Sequence, residues 1–249
     1  VRDGRAFFVD DATSRLVERG RGPLGEAGVR YGDPALHPSG AWLAAVEERE
    51  REKDEPTNHL VALATAGTAT PTALARIDAR HDFVSTPVFS ADGAWLAWLA
   101  WDHPNMPWDA SSVYAARVGP DGLRSEPRRI AGGDASLFQP RFAPDGRLCF
   151  VSDASGWWNL YAVARDAGRA PAPLCPMQAE FGAPQWALGM SRYDFVDAHR
   201  LLCCSERDGV ARLSLLDVGD GALRALALPF TSFESVRAER GLACFVAAG

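Results

Sequence analysis

Residues 86–99 read TPVFSADGAWLAWL, and this stretch decides the fold because related copies of it recur along the chain. One copy begins at Asp33 and another at Gln139, so the three copies start 53 residues apart. Each has a proline directly after its first residue and a glycine in the turn that follows. Two weaker copies begin at Pro184 and Phe233. A repeat of about 50 residues that contains several short strands is typical of β-propeller blades.

Each copy predicts the same order of strands. A short apolar strand leads into a turn that contains the repeated glycine, Asp92-Gly93 in the central copy, where the glycine suits a left-handed backbone. The second strand, residues 95–100, carries no charge on either face, which favours a strand buried on both sides. Third and fourth strands are predicted at 112–118 and 127–130. We therefore expect an all-β fold, a β-propeller made of four-stranded antiparallel blades.

The repeats predict a single β-propeller domain over residues 1–249, with four complete and two partial blades. The complete blades are expected at 33–82, 83–135, 136–182 and 183–232, and the partial blades at 1–32 and 233–249. The partial blades either complete each other in a five-bladed ring or are the ends of a piece of a larger propeller. The charged segment 47–55 is expected to be a solvated loop.

Composition excludes several functional classes. The net charge of -6 and the pI of about 5.4 argue against a nucleic-acid surface, and no apolar run reaches the ~20 residues of a membrane span. The five cysteines form no C-x-x-C and four of them lie in apolar runs, which predicts free thiols and a cytoplasmic location, with the periplasm as an open alternative. No residues have metal-ligand spacing, so neither a metal nor a cofactor is expected. Because the sequence starts at Val1, we expect it to be a piece of a longer protein.

Three longer strings are more specific than the repeat itself. They are residues 94–109 (AWLAWLAWDHPNMPWD), 138–161 (FQPRFAPDGRLCFVSDASGWWNLY) and 179–195 (AEFGAPQWALGMSRYDF). In this order and at this spacing they resemble the propeller of prolyl oligopeptidase-family serine peptidases, in particular the acylaminoacyl-peptidase and dipeptidyl-aminopeptidase branch. The resemblance implies a non-catalytic propeller that gates the access of short peptides. The α/β-hydrolase domain of the same parent chain, which carries out catalysis in that family, is absent from this sequence.

The sequence itself offers no catalytic nucleophile. An α/β-hydrolase needs G-x-S-x-G, and the nearest string, residues 189–193, has Tyr193 in place of the last glycine. We therefore expect no catalytic residue here and no hydrolysis by this chain alone. The alternative is a stand-alone β-propeller that binds proteins or peptides. A glycosidase is disfavoured because Asp102 and Asp109 are too close in sequence to flank a sugar.

The candidate residues that face a substrate or an interface lie in the same three strings. The loop 102–109 combines stiff prolines with large tryptophans, although a rigid loop whose carboxylates cap backbone N–H groups is the simpler interpretation. His81-Asp82 and Asp102-His103 are expected to have structural roles. By resemblance, a propeller glutamate can bind the free amino group of a peptide, and Glu180 is the candidate. The complete set is Asp102, His103, Asn105, Trp108, Asp109, Trp157, Trp158, Glu180 and Phe181.

Overall fold

The computed structural model describes residues 6–10, 12–13, 15–65, 73–166, 168–239 and 241–249, with the side chains of 73–75 left aside. Within these residues the regular secondary structure is β-strand, and none of them lies in a helix that could cross a membrane. The strands form antiparallel sheets in which chain neighbours pair. The predicted all-β propeller fold of four-stranded antiparallel blades is confirmed.

The described residues form 22 strands, β1–β22 in chain order. The first sheet holds β1–β3, at Phe7–Asp10, Arg15–Glu18 and Gly22–Pro23. The second holds β4–β7, at Arg30–Leu36, Trp42–Arg49, Thr57–Ala64 and Ala73–Asp78. The third holds β8–β12, at Phe83–Phe89, Trp95–Trp101, Ser112–Gly119, Gly122–Leu123 and Arg128–Gly132. The fourth holds β13–β16, at Leu137–Phe142, Leu148–Ser152, Asn159–Val163 and Ala172–Pro173. The fifth holds β17–β20, at Tyr193–Phe195, Arg200–Arg207, Val210–Asp217 and Leu223–Ala225, and the sixth holds β21–β22, at Ser232–Glu239 and Leu242–Ala248.

The chain divides into two compact units. The first comprises Val1–Pro104 and Val113–Arg129, and the second comprises Asn105–Ser112 and Ile130–Gly249. The first unit holds the first two sheets and most of the third, and the second unit holds the last three sheets. The predicted blade boundaries and the single domain stay predictions.

The first strand of each repeat bends at the residue before the repeated proline. Asp33, Thr86 and Gln139 have φ angles of 51°, 51° and 49°, and the strand register shifts at the same places. A left-handed backbone is uncommon for residues with a Cβ, above all for a β-branched threonine. The 53-residue repeat therefore marks a β-bulge as well as a turn.

Side chains at these bulges bind the backbone of the residue one repeat later. The Oδ2 atom of Asp33 accepts a hydrogen bond from the Thr86 N–H at 2.6 Å, within the first unit. The Oε1 atom of Gln139 accepts one from the Arg192 N–H at 2.7 Å, within the second unit. These bonds satisfy backbone donors that a bulge leaves without a strand partner.

The second strand of the third sheet is buried, as the uncharged sequence predicts. Residues 96–100 are each at most 1% exposed. Trp98 lies at the centre of the core of the first unit together with Trp42, whose indole N–H donates to the Gly119 carbonyl at 3.0 Å. Gly93 in the preceding turn has a φ of 66°, which agrees with the predicted left-handed position.

The charged segment 47–55 differs from the prediction at its start. Its first three residues, Glu47 to Arg49, belong to β5, and the loop begins after them. Glu47 is only 1% exposed, and its Oε1 atom accepts a hydrogen bond from Arg49 Nε at 2.7 Å. This hydrogen bond, with a second one to Glu26, raises the pKa of Arg49 above its usual value. Because Arg49 neutralises its charge, the Glu47 carboxylate can be buried within β5.

The five cysteines are free thiols, as predicted, but they are not all buried. Cys149, Cys203 and Cys204 are buried in the second unit, and burial raises the pKa of Cys149 to about 12. Cys175 is half-buried. Cys244 is exposed because it lies on β22 of the two-stranded sheet, where no third strand covers it among the residues described.

Candidate functional site

The loop 102–109 starts with two residues that bind the segment before β8. His81 Nδ1 lies 2.9 Å from Asp102 Oδ2, and His103 Nδ1 lies 2.9 Å from Asp82 Oδ2. The same carboxylates accept backbone N–H groups: Asp102 accepts from Asp82 at 2.8 Å, and Asp82 accepts from His103 at 3.0 Å. The histidine and aspartate that are neighbours in sequence are therefore not partners. Each binds a residue of the other pair.

A polar cavity of about 530 Å³ lies beside these pairs in the first unit. His103 Nε2, on its wall, is 3.4 Å from the Glu55 Oε2 atom. The cavity contains charges of both signs, and several of them are already paired, such as Arg80 with Asp78 at 3.3 Å. Among the described residues, no three His, Cys, Asp or Glu side chains are arranged to hold a metal ion. This arrangement suits a structural connection between loops.

The pKa of Asp82 is lowered from its usual value, chiefly because the His103 backbone N–H and side chain bind the ionised carboxylate. A carboxylate whose pKa is lower in the folded state stabilises the fold above its unfolded-state pKa, and this contribution is lost as the pH falls through the folded-state value. We expect the Tm of Asp82→Asn to fall less than that of the wild type between about pH 5 and about pH 2. Thermal unfolding across this range measures the difference.

The exposed Asp134 provides the control for this experiment. Asp134→Asn removes a carboxylate for which the structure shows no such hydrogen bonds, so its pH profile should follow that of the wild type. Parallel profiles for the wild type and Asp82→Asn would contradict the role assigned to Asp82.

The rest of the loop belongs to the second unit and binds its own backbone. Asp109 Oδ2 accepts a hydrogen bond from the Met106 N–H at 2.9 Å, which agrees with the simpler interpretation that the carboxylates of this loop cap N–H groups. Asn105 and Trp108 are half-buried. The Trp108 ring is 4.3 Å from that of Trp186, which is 75% exposed.

A second cavity, of about 380 Å³, brings together predicted residues from two separate strings of the sequence. Trp157 and Trp158 come from the turn before β15, and Glu180 comes from the connection that leads to β17. The whole lining is Asp153, Gly156, Trp157, Trp158, Glu180, Gly182, Ala183, Pro184 and Glu206. Carboxylates and an indole surface therefore share one concave site in the second unit.

Backbone pairing places two carboxylates of this cavity next to each other. Glu180 and Glu206 form an isolated antiparallel bridge, with N–H···O distances of 2.9 Å in both directions. Residues directly opposite in such a bridge project to the same face, and like charges there repel. Arg192 Nη2, 3.5 Å from Glu206 Oε2, offsets part of this repulsion, so the three side chains together carry one net negative charge. Glu180 Oε2 also accepts the Trp158 N–H at 2.7 Å, which ties it to the tryptophan turn.

The aromatic residues of this region differ in exposure. Trp157 is 36% exposed at the cavity, whereas Trp158 is half-buried and packs against the core. A Cβ at Gly182 would lie 3.0 Å from the Trp158 ring, so glycine permits this close packing. Phe181 is completely buried in the same core cluster, so its side chain supports the site from inside and is not on its surface.

Sequence analysis did not find Glu206 or its neighbour Arg192. Glu206 lies near the end of β18 in an otherwise ordinary apolar strand, and only the bridge to Glu180 reveals its position. Arg192 is 8% exposed, and its Nη2 atom is 3.5 Å from Glu206 Oε2. No sequence motif marks this contact, because it depends on how two distant segments pair.

No protein-family model matches the sequence, and no curated protein matches it. Solved structures do. Puromycin hydrolase is 30% identical with a TM-score of 0.86, over 97% of this chain and 39% of that protein. A puromycin-hydrolyzing peptidase from Mycobacterium tuberculosis is 30% identical with a TM-score of 0.80, over 91% of this chain and 37% of that one. Prolyl oligopeptidase B from Galerina marginata, at 11% identity, has a TM-score of 0.63 over 92% of this chain and 32% of its own.

These similarities agree with the architecture described above. The repeated four-stranded sheets define the chain as a β-propeller. Its fold is that of the propeller of prolyl oligopeptidase-family peptidases, and the predicted family resemblance is confirmed. The chain spans about two fifths of the length of puromycin hydrolase. The assignment to the acylaminoacyl-peptidase and dipeptidyl-aminopeptidase branch stays a prediction.

Proposed function

We propose that this chain is the non-catalytic propeller part of a serine peptidase and that it limits which substrates reach the catalytic site. The observation that carries the proposal is the 30% identity to puromycin hydrolase over 97% of the chain. In this proposal an α/β-hydrolase domain of the same parent chain supplies Ser, His and Asp for acyl transfer. The propeller contributes size selection and the exclusion of water from the reaction.

The residues of this chain fit a supporting role. Ser191, the serine nearest to a nucleophile motif, is 3% exposed, and its hydroxyl donates to the Val236 carbonyl at 2.6 Å. A serine held in this way supports the interior and is not available for attack on a substrate. The five free thiols are compatible with a reducing compartment, so we assign the protein to the cytoplasm within the same proposal.

The proposed substrates are short peptides and aminoacyl amides with a free amino group. Two of the similar proteins are named for the hydrolysis of puromycin, which is an aminoacyl amide of this kind. The Glu180 and Glu206 carboxylates would bind the ammonium group, because charge-assisted hydrogen bonds to carboxylates are among the strongest polar contacts.

Glu180→Gln in the complete protein tests this function. We expect the KM for aminoacyl 4-nitroanilides to rise about tenfold with little change in kcat, because an ammonium–carboxylate bond is replaced by a neutral one. The glutamine Oε1 can still accept the Trp158 N–H, so the local fold is kept. Steady-state kinetics with free and N-acetylated substrates measures the effect, and the acetylated substrates should be unaffected.

Glu126→Gln is the matched control, since Glu126 is exposed and lies in the first unit. A KM increase that is equal for acetylated and free substrates would contradict amine binding by Glu180. If the complete protein hydrolyses neither substrate and its gene encodes no G-x-S-x-G after Gly249, the peptidase proposal is wrong. The stand-alone module that binds proteins or peptides would then be favoured.

A further inference from the structure

We infer that Trp157 selects substrates whose first side chain is aromatic, an inference that rests on the proposed binding of an amino group by Glu180. Trp157 and Glu180 line the same cavity of about 380 Å³. Trp157 forms an aromatic part of the cavity lining, whereas Glu180 and Glu206 form its acidic part. Trp157 would therefore determine which substrate side chain is preferred.

The backbone of Trp157 is held firmly although its indole is exposed. Its carbonyl accepts hydrogen bonds from the Ser155 hydroxyl and from Asn159 Nδ2, both at 3.2 Å. Asn159 is 1% exposed, and it also binds the backbone of Met177 through both ends of its amide, at 2.8 and 3.0 Å. A buried amide therefore fixes the turn that presents the indole. A rigid aromatic surface binds a ligand with a small loss of conformational entropy.

The position of Trp157 relative to Glu180 suits an aminoacyl group. Trp158, the next residue, donates its backbone N–H to Glu180 Oε2 at 2.7 Å, so the carboxylate lies beside the backbone turn that carries Trp157. The side chains of Trp157 and Glu180 line the same cavity. In an aromatic aminoacyl group, only the Cα and Cβ atoms separate the ammonium nitrogen from the ring. A ligand held at Glu180 by its ammonium group can therefore reach the Trp157 surface with its first side chain.

An indole favours an aromatic partner over an aliphatic one of similar size. Aromatic pairs contribute beyond the area that they bury, which corresponds to roughly threefold to tenfold in Kd. The other possible role of Trp157 is a cation–π contact with the ammonium group itself. A ligand with an ammonium group but no ring distinguishes the two roles, because Trp157 would contribute to its binding only through a cation–π contact.

The experiment measures the binding of small amines to the complete protein by calorimetry, so no hydrolysis is needed. The probes are 2-phenylethylamine, propylamine without a ring, and N-acetyl-2-phenylethylamine without a charge. We expect Trp157→Leu to weaken the binding of 2-phenylethylamine about fivefold and to leave propylamine unchanged. Trp157→Phe should bind 2-phenylethylamine almost as tightly as the wild type, because it keeps an aromatic ring. Trp186→Leu is the matched control, because Trp186 is 75% exposed and does not line the cavity.

Each outcome has one meaning. Unchanged binding of 2-phenylethylamine to Trp157→Leu would overturn the inference, while weaker amine binding to Glu180→Gln would leave the proposed amine site intact. An equal loss for propylamine would assign Trp157 to the ammonium group and would also overturn the inference. If the wild-type protein binds no amine, the proposed amine site is wrong, and the role of Trp157 is wrong with it.

Discussion

Replacement of Trp98 by alanine is expected to lower the free energy of unfolding by about 4 kcal/mol, the largest effect of any single substitution considered for this chain. Trp98 is completely buried in the middle of β9 and packs in the core cluster of the first unit. Removal of the indole leaves a large cavity that neighbouring strands cannot fill, since both faces of β9 are already packed. Denaturation by urea measures the loss.

A second contribution to this loss comes from a hydrogen bond. The Trp98 indole N–H donates to Asp78 Oδ2 at 2.9 Å, and Asp78 is only 1% exposed. Without the indole, this buried carboxylate keeps its contact with Arg80 but loses a donor, which costs about 1–3 kcal/mol for a buried polar group.

Two further variants separate the two contributions. Trp98→Phe removes the N–H and only part of the ring volume, so its loss should be about 2 kcal/mol, smaller than that of Trp98→Ala. Trp186→Ala removes an exposed tryptophan whose ring contacts Trp108, and it should change the free energy of unfolding by about 1 kcal/mol or less. Equal losses for Trp98→Ala and Trp186→Ala would contradict the position assigned to Trp98 in the core.

The fold could be predicted because the same strand–turn–strand sequence pattern occurs several times in the chain. The proline, the glycine of the turn and the apolar start of the second strand recur together, so each copy supports the interpretation of the others. The β-bulge in the same repeat could not be predicted. A residue before proline normally adopts an extended backbone, and Thr86, being β-branched, argues even more strongly against a left-handed one.

The contacts of the candidate site were less accessible to sequence analysis. In the antiparallel register of β8 with β9, Phe83 pairs with Trp101, so the residues just before Phe83 lie beside those just after Trp101. It explains why His81 binds Asp102 and not its own neighbour Asp82. Strand register depends on the packing of whole sheets, so a local motif cannot reveal such partners.

The same limit applies to the cavity with the two carboxylates. Sequence analysis found Glu180 through a string that resembles a family, whereas Glu206 has no comparable string. Phe181 was grouped with Glu180 because it is adjacent, yet adjacent residues of an extended segment point in opposite directions. One side chain therefore lines the cavity and the other is buried in the core.

Replacement of Gln139 by leucine is expected to lower the free energy of unfolding by about 3 kcal/mol. Gln139 is 2% exposed, and its side chain forms hydrogen bonds with the segment 191–193. Its Nε2 atom donates to Ser191 Oγ at 2.8 Å and to the Tyr193 carbonyl at 2.6 Å, and its Oε1 atom accepts the Arg192 N–H at 2.7 Å. Leucine has a similar volume but removes these three hydrogen bonds and takes from the Arg192 N–H its acceptor.

The loss should be local as well as large. Hydrogen exchange of the Arg192 amide should become faster in Gln139→Leu, because its acceptor is removed, while the amides of β14 keep their rates. Gln178→Leu is the matched control, since Gln178 is exposed, and its change should stay below about 0.5 kcal/mol. If Gln139→Leu changed stability no more than Gln178→Leu, the side chain at the bulge would not connect one sheet to the next. The 53-residue repeat would then reflect turn and strand sequence alone.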